Sequence, residues 1–468
     1  VDLIALYYPI WKKALILAWP VVLSHIFTTA MRTTDMILMG LFGPAAVTAV
    51  GLGDVWERIV LRIGLGLGAG SISLISQESG SDTIQAEENT EVVLFQVLVT
   101  GSLIGVPFIL IGWLIPEQLI GLLGATPKVI VLAAQYLFII FAAAPFRIIS
   151  LISSRALQGT GDTRTPMVIG IISNAVNIGF SVGLALGIGP FPEIGVLGVG
   201  WGTFIAKTLA AVLYIIVFVS SISHLNLRYP EAGFDFLITK QLFVVSTPKI
   251  LQGGYQSLIA FPFNSLILLF GTEAAAAYHI GRRIQQQLMA PLQRAYGTVT
   301  TILAGQKLGE GNPQESRKIT RGMLWLTLFT ITLISGILFI LAPQLIRIFT
   351  ESKATIQFGI GFLRALSIGT PILTCYGVLS GLLTGAGDTK TPFYGLVVSQ
   401  TIFKLGLSYL LRVIFGWGIT GVFVGLVITH LGQAAWVARH FRTDKWIEDA
   451  QNMIDERRQN REEKEIVN

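Results

Sequence analysis

A carboxylate, Asp35, stands in the second half of an apolar run from Lys13 to about Gly43, and Pro20 stands in its first half. Near the centre of a bilayer such a group costs about 2.5–3.5 kcal/mol on insertion scales, and it is rarely kept without a use. The chemistry it offers is the uptake and release of a proton or a small cation. Arg32 lies three residues earlier, near enough to pair with it on one helix face. A mere charge pair would be cheaper as two apolar residues, which favours a coupling role for Asp35. Pro20 removes a backbone donor and gives the helix a place to bend.

Other polar groups fall inside apolar stretches. Asp54 and Glu57 stand beside Arg58 and Arg62, and the i,i+4 spacing of Asp54, Arg58 and Arg62 reads as an ion-pair ladder along one face. Asn174 and Asn177 share a face at i,i+3, and buried amides must find hydrogen-bond partners. Thr203 is a weaker candidate, because a threonine can bond its own helix backbone. Arg32, Tyr136, Gln252, Gln256 and Asn264 are candidates for the wall of a substrate cavity. The run Gly64 to Gly70 lies in an apolar span, so it reads as a helix-packing seam and not as a phosphate loop. Lys207, Lys404, Arg147 and Arg364 read by default as snorkelling or paired side chains. Between Gln241 and His440 the acids are Glu273, Glu310, Glu315, Glu351 and Asp388, all at span ends or in loops. A cation site therefore belongs to the N-terminal half.

The elements that position these residues are membrane spans. Of 468 residues 52% are hydrophobic and 13% charged, with a mean hydropathy of +0.68. Soluble domains carry about 25% charged residues, so this chain could not cover a soluble surface. Apolar stretches of membrane length recur at about 13–41, 45–76, 92–115, 129–153, 166–188, 195–221, 242–270, 273–304, 319–341, 355–381, 392–414 and 418–440. The fold class is thus all-α and integral to the membrane, with twelve transmembrane helices. Lys12, Lys13, Arg155, Arg164, Arg228, Lys240, Lys307, Arg317, Lys318 and Lys390 fall on one side, which places both termini in the cytoplasm. The acidic loop 77–92, with Asp82 and Glu87, runs against this, but acids weigh little in the rule. No cleavable signal peptide is expected, since no charged segment precedes residue 12. The single cysteine, Cys375, allows no internal disulfide and no cysteine metal site.

The chain also repeats itself. Gly159-Thr-Gly-Asp-Thr-Arg-Thr-Pro166 returns as Gly385-Ala-Gly-Asp-Thr-Lys-Thr-Pro392 at an offset of 226, and the same offset carries Gly195-Val196 to Gly421-Val422 and Thr203 to Thr429. Gly43-Pro-Ala-Ala returns at Gly271-Thr-Glu-Ala with an offset of 228. Six spans per copy make these parallel repeats, two lobes related by a pseudo-two-fold axis along the membrane normal. The expected domains are an N-terminal lobe 1–221, a cytoplasmic linker 222–241, a C-terminal lobe 242–440 and a charged cytoplasmic tail 441–468, helical or disordered. At that offset Asn174 and Asn177 correspond to Gln400 and Phe403, so only one amide is retained. The two Gly-Asp-Thr-x-Thr-Pro loops read as structural turns, with proline opening the next helix.

Thr34-Asp35-Met-Ile-Leu-Met-Gly40, Gly43-Pro-Ala-Ala, the doubled Gly-Asp-Thr-x-Thr-Pro loops and Gly-Gln-x-Leu-Gly at 305–309 together resemble the multidrug and toxic compound extrusion (MATE) family across residues 12–440. The absence of acids from spans seven and ten is similar to its DinF-like branch rather than its NorM-like one. The resemblance implies a secondary antiporter of the cell membrane, not an enzyme. It would export amphiphilic and cationic small-molecule drugs by alternating access, as a monomer without organic cofactor or nucleic-acid partner, in contact with membrane lipids. It implies cation coupling at Asp35, with Asn177 and Thr203 at matching positions. Ser181 departs from relatives that carry a second aspartate there. A lone carboxylate suits H+, while Asn174, Asn177, Ser181 and Thr203 still offer oxygens to Na+. A lipid-linked oligosaccharide flippase of the same superfamily is the rival reading, which Arg32, Arg58 and Arg62 keep open.

Overall fold

The computed structural model describes residues 3–80, 84–220, 223, 225–227 and 234–467, without the side chains of 3, 84–87 and 464–467. Asp82, Arg228 and the side chain of Glu87, which entered the charge argument, lie outside the described residues.

All regular structure among the described residues is helical. The first half contains α1 (Leu3–Leu41), α2 (Pro44–Glu78), α3 (Ile84–Leu114), a short α4 (Pro116–Gly121), α5 (Pro127–Ala142), α6 (Ala144–Gly159), α7 (Arg164–Leu186) and α8 (Leu197–Val219). The second contains α9 (Phe236–Leu268), α10 (Thr272–Gly309), α11 (Pro313–Arg347), α12 (Lys353–Gly385), α13 (Lys390–Ser399), a π-helical segment (Gln400–Leu407), α14 (Ser408–Val413) and α15 (Ile419–Phe441), and α16 (Lys445–Val467) closes the chain.

The twelve stretches read from the sequence fall on these helices, with the fourth broken into α5 and α6 at a 43° bend. Pro145 sits in the first turn of α6 and supplies no backbone donor across that break. Nine helices among the described residues are long and apolar enough to cross a membrane, and the bent pair makes a tenth. The other two long helices, α9 and α10, are diluted by Gln252, Gln256, Asn264, Arg282, Arg283 and Gln285. These are the polar spans of the fold.

The chain packs into two compact units. One holds Leu23–Ile250 with Gln459–Asn468, and the other holds Val1–Val22 with Leu251–Arg458. Their boundaries fall inside α1, two residues after Pro20, and inside α9. α1 itself runs unbroken through Pro9 and Pro20. Beyond Pro20 the hydroxyls of Thr28, Thr29, Thr33 and Thr34 all donate to carbonyls four residues back. Such back-bonding weakens the helix ladder and favours bending.

In the first unit glycine brings helices to backbone distance. Gly64 and Gly68 of α2 face Leu151 and Arg155 of α6, while Gly66 and Gly70 face Ser246, Ile250 and Leu242 of α9. A Cβ on Gly202 of α8 would meet Ser181 of α7, and one on Gly198 would meet the Ala185 backbone. α7 and α8 therefore touch along the face that carries Asn177 and Thr203. In the other unit, Ala14, Leu17, Ala18 and Val21 of α1 pack with Tyr296, Val299 and Met323.

The repeated loops are turns with a definite geometry. Asp162 Oδ1 accepts the backbone N–H groups of Arg164 and Thr165, both at 3.0 Å. Asp388 Oδ1 accepts that of Thr391 at 3.0 Å, and its Oδ2 lies 3.2 Å from His440 Nε2. Gly161 and Gly387 precede them at φ 94° and 84°, a left-handed backbone that favours glycine. The aspartates thus hold the start of α7 and α13. The charged tail is a helix packed at both ends: Trp446 is fully buried beside Leu308 and Leu379, and Arg317 pairs with Asp444. In the other unit Asn460 donates to Asp235 at 2.6 Å, and Arg461 lies 3.6 Å from Glu78.

Candidate cation site in the N-terminal half

Three helices of the first unit bring the polar groups together. Asn177 of α7 is fully buried and donates through Nδ2 to Thr203 Oγ1 of α8 at 3.2 Å. One turn earlier, Asn174 donates to Thr28 Oγ1 of α1 at 3.3 Å, and Ser173 donates to the Ala206 carbonyl of α8 at 2.9 Å. One turn later, Ser181 Oγ is the hydroxyl that faces Asp35. The i, i+3, i+7 spacing of Asn174, Asn177 and Ser181 puts all three on one side of α7.

Asp35 Oδ1, Asn177 Oδ1 and Ser181 Oγ are all shielded from solvent and without a hydrogen-bond partner. Unpaired buried oxygens cost free energy unless something supplies a donor or a positive charge. A proton on Asp35 supplies one donor, whereas a sodium ion would draw on several of these oxygens at once. The set fits either ion chemically. Among the described residues no cluster of three or more His, Cys, Asp or Glu side chains forms a metal site.

The charged surroundings differ from the expectation in two ways. Arg32 acts on Asp35 through space but makes no ion pair with it among the described contacts, and Lys207 of α8 is the stronger cationic neighbour. The ladder along α2 is also not formed. Arg58 donates to the Asp54 carbonyl at 3.3 Å, and Glu57 pairs across helices with Arg147 of α6. The reason is reach: from its place on α6, the Arg147 guanidinium meets Glu57 in the bundle, whereas Arg58 is turned to its own backbone. Tyr136 of α5 is buried against Gly53 and Gly200, with Asp35 and Asp54 as its charged neighbours. Lys207 was readable in part, since it follows Thr203 by four residues on one face of α8. The pairing of Glu57 with Arg147, 90 residues apart, had no local signal.

Of the cavity candidates, Arg32 and Tyr136 belong to this unit, and Gln252, Gln256 and Asn264 to the other. There Gln252 donates to the Tyr376 hydroxyl at 3.1 Å, and Gln256 is exposed.

The family model for MatE matches residues 20–182 and again 248–410. The chain belongs to the MatE family. Two copies of one family domain account for the internal repeat, and the twelve-helix, two-lobe architecture is that of the MATE fold. Among curated relatives, the chain is 24% identical over 445 residues to "Probable multidrug resistance protein NorM" of Thermotoga maritima, covering 93% of each. It is 26% identical to "Probable multidrug resistance protein YoeA" of Bacillus subtilis, over 74% of this chain and 75% of that one. It is 23% identical to a "FAD transporter" of Shewanella oneidensis, over 90% of this chain and 92% of that one. A solved structure of a MATE transporter in the straight conformation superposes with a TM-score of 0.85 at 20% identity, covering 97% of this chain and 99% of that one. A MATE structure in the bent conformation gives 0.82 at 18% identity, with the same coverage. This MATE protein is therefore a multi-span membrane transporter, and its relatives are transporters rather than enzymes.

Proposed function

We propose that this MATE protein is a secondary antiporter that exports amphiphilic and cationic organic compounds across the cell membrane in exchange for protons. Asp35 is the coupling carboxylate, supported by Asn174, Asn177, Ser181 and Thr203. The observation that carries this reading is Asp35 Oδ1, shielded from solvent and facing the Ser181 hydroxyl in a buried polar set. Protonation from outside removes the charge that faces Lys207, and α1 then bends at Pro20, where the ladder already lacks a donor and four threonines compete for carbonyls. The bend releases the compound, for which Arg32 and Tyr136 are candidate contacts in one unit and Gln252, Gln256 and Asn264 in the other. Both termini are cytoplasmic, the lobes are 1–221 and 242–440, and the protein works as a monomer without an organic cofactor. The lack of acids inside the second half is in keeping with the DinF-like branch.

Sodium is the second reading, favoured by the unpaired Asn177 Oδ1 and Ser181 Oγ. Two of the three relatives named above are multidrug resistance proteins and the third is a FAD transporter, and none of these names points to a lipid-linked sugar. The test is efflux from cells making wild type or Asp35→Asn at equal level, across a pH and Na+ series. Loss of pH-driven efflux in the mutant is expected, and wild-type efflux by Asp35→Asn would overturn the coupling role. Efflux that follows Na+ at constant pH would replace H+ by Na+.

A further inference from the structure

The repeat places a second polar group in the other unit, at positions matching the first. The offset of 228 that carries Gly43 to Gly271 and Gly53 to Gly281 carries Asp35 to Phe263 and Asp54 to Arg282. The offset of 226 carries Asn174 to Gln400, Phe204 to His430 and Lys207 to Gln433. Both carboxylates are gone, one replaced by a ring and one by a guanidinium. The geometry respects this matching. Lys404 holds its Nζ 4.6 Å from the centre of the Phe263 ring, in a cation–π contact where the first unit has its carboxylate.

The group is basic and incompletely paired. Arg282 of α10, which also bonds Tyr278, and His430 of α15 are the charged or titratable neighbours of Lys404, and among the described residues no carboxylate acts on Lys404 or His430. His430 faces the Gln433 side chain, while Gln400 Oε1 and Ser408 Oγ are shielded from solvent and have no hydrogen-bond partner. Gln433 is 2% exposed and Ser408 fully buried, so water does not serve them from an open surface. The backbone that carries Gln400 and Lys404 is π-helical, whereas its copy at Asn174 is ordinary α-helix. Single π-helical segments inside α-helices are frequent at functional sites. Behind the cations Phe263, Tyr278 and Phe362 are buried in a packed core, with ring centres 5.4 Å apart for Phe263 and Tyr278 and 5.3 Å for Tyr278 and Phe362.

Cations kept inside a membrane without a counter-charge are costly and mark a binding site more often than a scaffold. The partner they lack is an anion, and one that reaches them inside a membrane carries an apolar body. We propose that Lys404, Arg282 and His430 form a binding site for the carboxylate or sulfonate group of an amphiphilic organic anion. An acidic lipid headgroup offers the same chemistry. The substrates of this transporter then extend beyond cations, and the two repeats divide the charges between them: proton or cation in one, organic anion in the other.

Binding is read without transport, so failure here is separate from failure of the coupling reading. The full chain is placed in phosphatidylcholine nanodiscs and titrated by calorimetry with 4-heptylbenzoate and with the uncharged 4-heptylbenzamide. The benzoate is expected to bind about tenfold more tightly, the worth of one charge-assisted hydrogen bond. Lys404→Met or Arg282→Gln removes that preference, Lys404→Arg retains it, and Asp35→Asn leaves it unchanged. If Lys404→Met fails to fold, Arg282→Gln and Lys404→Arg carry the comparison. Displacement of the benzoate by added phosphatidylglycerol assigns the site to a lipid headgroup, and no displacement assigns it to a transported amphiphile. Equal affinity for benzoate and benzamide, or an unchanged preference in folded Lys404→Met and Arg282→Gln, would overturn the proposal.

Discussion

The two halves of this transporter began as copies and now hold opposite chemistry at matching positions. In the first half, Asp35, Asp54 and Glu57 share the interior with Lys207 and Arg147, so each kind of charge has an opposite within reach. In the second, Arg282, Lys404 and His430 stand among amides and rings. The order of spans and the Gly-Asp-Thr turns are kept while the charges are exchanged. A fold is set by packing and by satisfied backbone groups, which tolerate exchange of a few interior side chains. An ion site is set by those few side chains alone. The lesson is that a repeat preserves a frame, and that function is written at the positions where the copies disagree.

The comparison can be broken most forcefully at Glu57. Its counterpart at the offset of 228 is Gln285, which donates to Thr370 Oγ1 at 3.3 Å as a neutral hydrogen bond. Glu57→Gln leaves the Arg147 guanidinium without its anion, and breaking a buried pair costs about 3 kcal/mol or more. Gln285→Ala loses a neutral bond, about 1 kcal/mol. Thermal unfolding in detergent should therefore show a much larger fall in Tm for Glu57→Gln, and equal falls would remove the charge asymmetry as a structural fact.

The next effect is at the contact of α7 with α8. Gly202→Ala pushes a methyl group into Ser181, whereas Gly179→Ala on α7 meets nothing within 4 Å. Overpacking of this kind costs about 1–3 kcal/mol, and it separates Asn177 from Thr203. Gly202→Ala is expected to lower both Tm and pH-driven efflux, with Gly179→Ala near wild type in the same efflux assay. Wild-type efflux from Gly202→Ala would detach the α7–α8 contact from coupling.

The smallest effect sharpens what the repeats still share. Asp162→Ala and Asp388→Ala each remove a carboxylate that caps backbone N–H groups, worth about 1 kcal/mol. Asp388→Ala also removes the partner of His440, so its Tm should fall slightly further than that of Asp162→Ala. Loss of transport with unchanged Tm in either variant would make these loops ligand sites instead of turns.

Much of this was legible in the residues themselves. Apolar length dictates spans because an unpaired backbone group in lipid costs several kcal/mol, and a helix pairs them locally. The repeat, the membrane class, the glycine seam and the interest of Asp35 all follow from order and spacing along the chain. Local chemistry also foretold the Asp162 and Asp388 turns, whose bonds reach only three residues. The tertiary structure decided what distance hides. It paired Glu57 with Arg147 instead of building a ladder on α2, set Lys207 against Asp35, and folded the charged tail into α16 with Trp446 buried. It turned Gln400–Leu407 into a π-helical segment and lifted Lys404 over Phe263. None of these has a periodic signature, because side-chain partners on different helices are chosen by how the helices cross. The sequence by itself determined that an acid would have to be justified in one half and that none stood in the other; only the packed helices decided which groups face Asp35 and which cations are left without an anion.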